Sequence, residues 1–70
     1  MIIQLEDTHT KNLTLINMEK VATVTVTYAR DLYRVVFGMG CKEMAVVMNE
    51  ELYAGVRPLL DKWTKKMGLL

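Results

Sequence analysis

Cys41 and His9 are the only thiol and the only imidazole in this 70-residue chain, so they are the first candidates for chemistry. A cysteine nucleophile needs a nearby base or cation that favours the thiolate, and Lys42 is its only cationic neighbour in sequence. His9 follows Glu6 and Asp7, which are metal-ligand types, but these residues fall in a polar segment with turn character. No zinc-ligand spacing links His9 to Cys41. We therefore expect a solvated loop at His9, no catalytic residue and no bound metal.

A pair of glycines is the next candidate for a binding loop. Gly38 and Gly40 are spaced as in part of a phosphate-binding loop, but they separate two β-rich runs, whereas a phosphate loop precedes a helix N-terminus. A turn is the expected structure. The chain contains no serine, and no carboxylate pair, histidine base or metal-ligand set stands out. The sequence therefore predicts a protein that is not an enzyme and uses no cofactor.

The length of the chain predicts one small domain over residues 1–70. Domains of this size bury little apolar surface and commonly depend on a disulfide, a metal or a partner chain. A single cysteine cannot form an intrachain disulfide and is typical of a reducing compartment. The opening MIIQLEDTHT has neither a basic start nor a long apolar run, so we expect a cytoplasmic location and no membrane association. Self-association is the remaining support for the fold.

Five short β-rich runs are predicted as strands, at residues 1–6, 12–16, 21–28, 32–39 and 44–48. The first two flank the polar segment DTHTK and can pair as a hairpin. The third alternates between Ala, Val or Tyr and Thr, so we expect one buried face and one partly hydrated face. The last two follow short connections and are apolar on both faces, which is typical of strands covered from both sides.

A single helix is predicted after Asn49, which is a good N-cap residue and is followed by two glutamates in the first turn. Its apolar residues lie on one stripe about 100° wide, which comprises Leu52, Val56, Leu59, Leu60, Trp63 and Met67. Pro58 removes a hydrogen bond inside the helix, so we expect a bend or short break between Gly55 and Pro58. The predicted fold class is therefore α+β, an antiparallel β-meander of four to five short strands closed by one C-terminal amphipathic helix.

The balance of apolar faces predicts association. A helix with one stripe covers one face of a sheet, and large exposed apolar patches on soluble proteins usually mark interaction sites. We therefore expect a homo-oligomer, with a dimer as the principal state, and a protein-interaction module that can also engage an unidentified protein partner. The interface candidates are Leu32, Val36, Met44, Val46, Met48 and Trp63.

A single-stranded nucleic-acid-binding module is the alternative. Aromatic and arginine side chains on a sheet can stack bases and follow the backbone, and lysines can contact phosphates. The residues with these roles would be Tyr28, Arg30, Tyr33 and Arg34 on the sheet and Lys62, Lys65 and Lys66 on the helix. Nine basic residues against eight acidic ones give a net charge of only +1, which provides no strong long-range attraction to nucleic acid.

The passage MAVVMNEELYAGVRPLL, in which a strand runs into an acidic helix start, resembles part of a known family. Together with the order of strands followed by a helix, it is similar to the small single-stranded-DNA-binding domains of the transcriptional coactivator type. This resemblance is confined to element order and residues 44–60, and it implies a four-stranded sheet and a C-terminal helix that dimerise. Fold similarity alone does not fix function.

Overall fold

The computed structural model describes residues 1–68 and confirms the predicted α+β class. The elements in chain order are β1 (Ile2–Glu6), β2 (Leu13–Asn17), a short 3₁₀ helix (Met18–Lys20), β3 (Thr23–Ala29), β4 (Leu32–Met39), β5 (Lys42–Met48) and α1 (Glu50–Lys66). All strand pairs are antiparallel and sequential, as in a meander. One C-terminal helix closes the fold.

The five strands form two sheets, because the 3₁₀ helix turns the chain out of the first one. β1 pairs with β2, and β3, β4 and β5 form a separate three-stranded sheet in that order. Asn17 caps the 3₁₀ helix through a side-chain oxygen that accepts a hydrogen bond from the Glu19 N–H. Met18 and Val21 on either side of this turn are buried and anchor it in the core.

Two tight turns fix the order of the three-stranded sheet. Arg30 and Asp31 connect β3 to β4 with φ values of 54° and 63°, the left-handed conformation of the hairpin turns that match strand twist. Gly40, with φ of 65°, and Cys41 connect β4 to β5. Since each turn joins sequential antiparallel strands, β4 is central and β3 and β5 are the edge strands.

The helix starts at the predicted cap and continues through its proline. The Asn49 side chain accepts a hydrogen bond from the Leu52 N–H at 2.8 Å. We expected a bend or short break at 55–58, but α1 is an uninterrupted α-helix across this segment. Pro58 deprives the Ala54 carbonyl of its usual donor, and both residues are exposed. Water can therefore hydrate the freed carbonyl without interrupting the helix.

The core lies between one face of the three-stranded sheet, the β1–β2 hairpin and α1. This inner face of the sheet carries Val35, Phe37, Val46 and Met48, which are almost completely buried. The hairpin contributes Ile3, Leu5 and Ile16 and the helix contributes Val56, Leu60 and Trp63. The Trp63 indole N–H donates to the Met18 carbonyl at 3.0 Å, which ties the helix to the 3₁₀ turn.

Within the described residues 1–68, no other element covers the outer face of the three-stranded sheet, which corrects the expectation that β4 and β5 are enclosed on both sides. Val36 and Val47 on this face are only partly buried, and Arg34 and Ala45 are exposed. The physical reason is that both the hairpin and the helix pack on the inner face.

No helix within residues 1–68 is long and apolar enough to cross a membrane.

Candidate protein-interaction site

The edge of β3 that faces away from β4 has no strand partner within residues 1–68. We call it the free edge of β3. The strand is seven residues long, TVTVTYA, and contains no charged residue, proline or glycine. Natural proteins usually protect such edges with charges, prolines, bulges or a covering element, because an unprotected edge pairs with other chains. The free edge of β3 has high β-propensity and no such protection. It is therefore the part of the sheet most prone to pair with another strand.

Two of the three inner-facing side chains of β3 are exposed, which corrects the expectation that one face of this strand is buried. Val26 is 40% exposed and Tyr28 is 52% exposed, while Val24 is partly buried. Their cross-strand neighbours on β4 are Val35 for Val26, Tyr33 for Tyr28 and Phe37 for Val24. The inner face is therefore apolar from β4 to the free edge. The helix packs mainly on β1, β4 and β5, so β3 extends beyond its cover.

A groove of about 620 Å³ separates β3 from α1. Val24 and Val26 line its sheet side together with Ala22 and Thr23, and Leu60 and Trp63 contribute to its helix wall. Arg57 and Asp61, one helical turn apart, are the charged side chains among its lining residues and have opposite signs. The groove is therefore apolar along the strand with a nearly neutral rim.

An aromatic cluster closes one end of this surface. The Tyr28 and Tyr33 rings lie 4.7 Å apart between centroids, and Tyr33 stacks on Tyr53 of the helix at 4.0 Å with an interplanar angle of 8°. The Tyr28 hydroxyl donates to the Asp31 carboxylate at 3.1 Å, and this hydrogen bond and the nearby negative charge raise the pKa of Tyr28 above its ordinary 10.0. These contacts hold the exposed Tyr28 ring in place at the end of β3.

The other edge of the three-stranded sheet is occupied at Val47. The Val47 N–H of β5 donates to the Asp7 carboxylate at 3.1 Å, and the Val47 carbonyl accepts from the Thr8 N–H at 2.7 Å. The Thr8 hydroxyl in turn accepts from the Asn49 N–H at 2.8 Å. The loop after β1 therefore takes the place of a neighbouring strand along this part of β5.

Hydrogen bonding at Val47 also determines which backbone groups β3 presents. Both backbone groups of Val47 point away from β4, and this direction alternates from residue to residue along paired antiparallel strands. Arg34 lies opposite Val47, so its backbone groups point to β3, where they meet those of Thr27. By the same alternation, the N–H and carbonyl groups at the free edge belong to Val24, Val26 and Tyr28.

The β1–β2 hairpin carries a second set of exposed apolar side chains on its outer face, but they are interrupted by polar residues. Ile2, Leu13 and Leu15 are 62–68% exposed. Their cross-strand neighbours are Asn17, Glu6 and Gln4 respectively, so each apolar side chain is beside a polar one. The β3 surface differs because its apolar residues lie opposite apolar residues of β4. The outer face of the hairpin is therefore a weaker candidate for binding a partner. It is a suitable control surface for variants of β3.

The six predicted interface residues fall into three different places. Val46, Met48 and Trp63 are core residues of the single chain, so the expectation that they form an exposed interface is corrected. We expected the helix alone to cover the inner face of the sheet. The three residues are buried because the β1–β2 hairpin covers this face as well. Leu32 and Val36 lie on the outer face and are partly buried, and Met44 is 38% exposed at the start of β5.

The predicted nucleic-acid residues are not gathered on one surface. Tyr28 and Tyr33 lie on the inner face of the sheet, and Arg34 projects from the outer face. Arg30 lies in the β3–β4 turn. The predicted phosphate contacts are exposed near the C-terminal end of α1, namely Lys62, Lys65 and Lys66.

The two candidates for chemistry lie far apart. His9 is exposed in the loop that bonds to Val47, and Cys41 is exposed in the β4–β5 turn. Cys41 precedes Val47 by six residues of extended chain, a span of roughly 20 Å, so the loop that carries His9 and the turn that carries Cys41 lie toward opposite ends of β5. Residues 1–68 contain no group of three His, Cys, Asp or Glu side chains that could hold a metal ion.

Sequence reasoning missed the importance of Val24 and Val26 at the free edge and of Asp7 at the occupied one. A signal for the first was present, because two short connections make β4 the central strand and leave β3 at an edge without any charge. The role of Asp7 had no comparable signal, since its partner Val47 is 40 residues away.

Comparison of the chain with protein-family models, curated protein sequences and solved structures finds no match.

Proposed function

We propose that this chain is a small, non-enzymatic protein-interaction module that binds an extended strand of its partner along the free edge of β3. The observation that carries this proposal is the combination of an uncharged, unpaired edge with exposed inner-face side chains, Val26 and Tyr28, beside a groove. In recognition by strand addition, main-chain hydrogen bonds provide affinity and alternate side chains provide specificity. β3 offers both.

The groove supports the second part of this recognition. An incoming strand places alternate side chains on the inner face, where they extend the row formed by Val24 and Val26. The side chains that the incoming strand adds to this row can pack towards Leu60 and Trp63 across the groove. Apolar or aromatic side chains at every second position are therefore the sequence pattern that this site favours in a partner strand.

A synthetic peptide with the sequence of residues 21–30, VATVTVTYAR, is a suitable probe because it carries this pattern. In a titration of isotopically labelled protein followed by NMR, we expect the largest shifts at the amides of Val24, Val26 and Tyr28. The control peptide replaces both central valines, at positions 24 and 26, with lysine and should not bind. In protein that light scattering shows to be monomeric, absence of shifts at peptide concentrations up to about 1 mM, which corresponds to about 4 kcal/mol of binding, would overturn the proposal.

Two protein variants test the location of the site. Val26→Lys introduces a charge at the free edge, and Leu15→Lys introduces the same charge at an exposed strand position of the hairpin. We expect the first variant to weaken peptide binding at least tenfold and the second to leave it unchanged. Equal loss in both variants, or loss in Leu15→Lys alone, would move the site away from β3.

A further inference from the structure

We infer that the strand received by β3 is β3 of a second copy of this chain, paired antiparallel about a twofold axis that passes through Val26. This inference rests on the proposed function and names its partner. The product is a closed dimer with a continuous six-stranded sheet and both helices on the same face. Three features of the chain support it: the inequality of the two sheet edges, the register of β3 with itself, and the charge of the groove.

The inequality of the edges selects pairing of β3 with β3. Asp7 and Thr8 occupy the backbone groups of Val47 on β5, so within residues 1–68 the edge of β3 is the longer free edge of the three-stranded sheet. Two copies that use the same edge form an isologous contact that closes at two chains. Pairing of β3 with any different edge is heterologous and would continue to further copies.

The hydrogen-bonding groups of β3 select the register. With Val26 opposite Val26 of the second copy, all seven residues of each β3 overlap, and Val24 lies opposite Tyr28. The residues with free backbone groups then meet each other, giving three pairs with two hydrogen bonds each. The edge is used completely and symmetrically.

The two neighbouring symmetric registers are poorer. A centre at Thr25 requires pairing at Ala22 and Val21, but the Ala22 N–H already donates to the Gly38 carbonyl at 2.8 Å and Val21 is buried in the core. A centre at Thr27 requires pairing beyond Ala29, where the chain enters the left-handed turn at residues 30 and 31. Each shift therefore loses hydrogen-bonded pairs at both ends of the interface.

Side chains agree with the register through Val26. It places Val26 beside its own copy and Val24 beside Tyr28, so the most exposed inner-face residues of β3 are covered by β-branched or aromatic neighbours. On the outer side, Thr25 faces Thr27 of the other copy, and Thr23 faces Ala29. Arg57 and Asp61, the charged residues lining the groove, have opposite signs and cancel each other in both copies. The interface thus brings together no excess of like charge.

Charge exchange at the twofold axis is the sharpest test. Val26→Lys and Val26→Glu each place like charges opposite each other, so each variant alone is expected to have a dimer dissociation constant at least tenfold above that of wild type. An equimolar mixture places Lys opposite Glu and is expected to form a heterodimer, which analytical ultracentrifugation and native mass spectrometry can detect. Because rescue requires folded chains, it separates loss of pairing from loss of folding. A mixture that stays monomeric would overturn the register.

Cysteine pairing provides an independent readout of the same geometry. In a Cys41→Ser background, Val26→Cys is expected to form a disulfide-linked dimer under mild oxidation, since directly opposed Cα atoms lie about 5.5 Å apart. Thr25→Cys is the matched control, because its copy lies diagonally at about 7–8 Å, beyond disulfide reach. Faster crosslinking at position 25 than at position 26 would overturn the inference.

The outcomes distinguish this inference from the proposed function on which it rests. If the β3 peptide binds but the full chain remains monomeric at the same concentration, the strand-binding site stands and the second copy is not its partner. If the chain dimerises unchanged in Val26→Lys, the second copy binds elsewhere and this inference falls. If neither the peptide nor a second copy binds, the free edge is not the site and both proposals fall.

Discussion

Replacement of Asp7 is expected to destabilise the fold by more than an exposed carboxylate usually does. Its Oδ1 accepts hydrogen bonds from the N–H groups of His9 and Thr10, at 2.9 and 3.0 Å, and its Oδ2 accepts from Val47 at 3.1 Å. The local pair resembles a helix cap, for which alanine substitution costs about 1 kcal/mol. The partly buried bond to Val47 adds about 1 kcal/mol. We therefore expect Asp7→Ala to lose about 2 kcal/mol.

Asp7→Asn separates these two contributions. The asparagine oxygen can still accept the local N–H groups, but the amide nitrogen then faces the Val47 N–H and cannot accept its hydrogen bond. We expect a loss of about 1 kcal/mol in the free energy of unfolding, measured by urea denaturation. For a chain of this size each 1 kcal/mol corresponds to a melting temperature lower by about 4–8 °C. Glu43→Gln, at an exposed position near the start of β5, is the control and should change little.

The same variant predicts the direction of the pH dependence. The Thr10 and Val47 N–H groups hold the pKa of Asp7 below its ordinary 3.8 in the folded state. Ionised Asp7 therefore stabilises the fold above the unfolded-state pKa of about 4, and this contribution is lost as the pH falls through the lower folded-state pKa. The stability difference between wild type and Asp7→Asn should narrow below about pH 4. A difference that is constant from pH 7 down to acid conditions, or an Asp7→Ala variant as stable as wild type, would refute the reasoning.

Three other variants test separate parts of the structure. Trp63→Phe removes the indole donor from the buried Met18 carbonyl and should lower the free energy of unfolding by about 1–3 kcal/mol, as monitored by circular dichroism; an unchanged value would contradict the role of this bond. Pro58→Ala restores a helical N–H and should raise stability by about 2–3 kcal/mol in thermal denaturation, whereas destabilisation would show that the proline is favourable here. Asp31→Asn removes the charge beside Tyr28 and should lower the Tyr28 pKa toward 10.0 in an ultraviolet titration; no change would disprove the coupling.

Much of the fold was predictable because it depends on local signals. The alternation in β3, the two short connections around β4 and the Asn49 cap all act within a few residues, and the corresponding elements are present. The uninterrupted helix at Pro58 was not predicted, because hydration of the freed carbonyl depends on which side of α1 faces solvent. That orientation is a property of tertiary packing.

The distribution of buried surface was less predictable than the elements. Sequence reasoning assigned the cover of the inner face to the helix alone, whereas the hairpin shares it and leaves β3 outside both. Val46, Met48 and Trp63 were consequently expected at an interface and are core residues. Conversely, Val26 was expected to be buried and is exposed, since burial on a strand depends on the lateral position of its cover.

The molar mass of the purified chain in solution tests the central claim most directly. Light scattering at micromolar concentration should give twice the chain mass of 8.0 kDa for wild type and for Leu15→Lys, and a single chain mass for Val26→Lys. A wild-type mass of 8.0 kDa under these conditions, or a Val26→Lys variant that keeps the doubled mass, would contradict pairing through the free edge of β3.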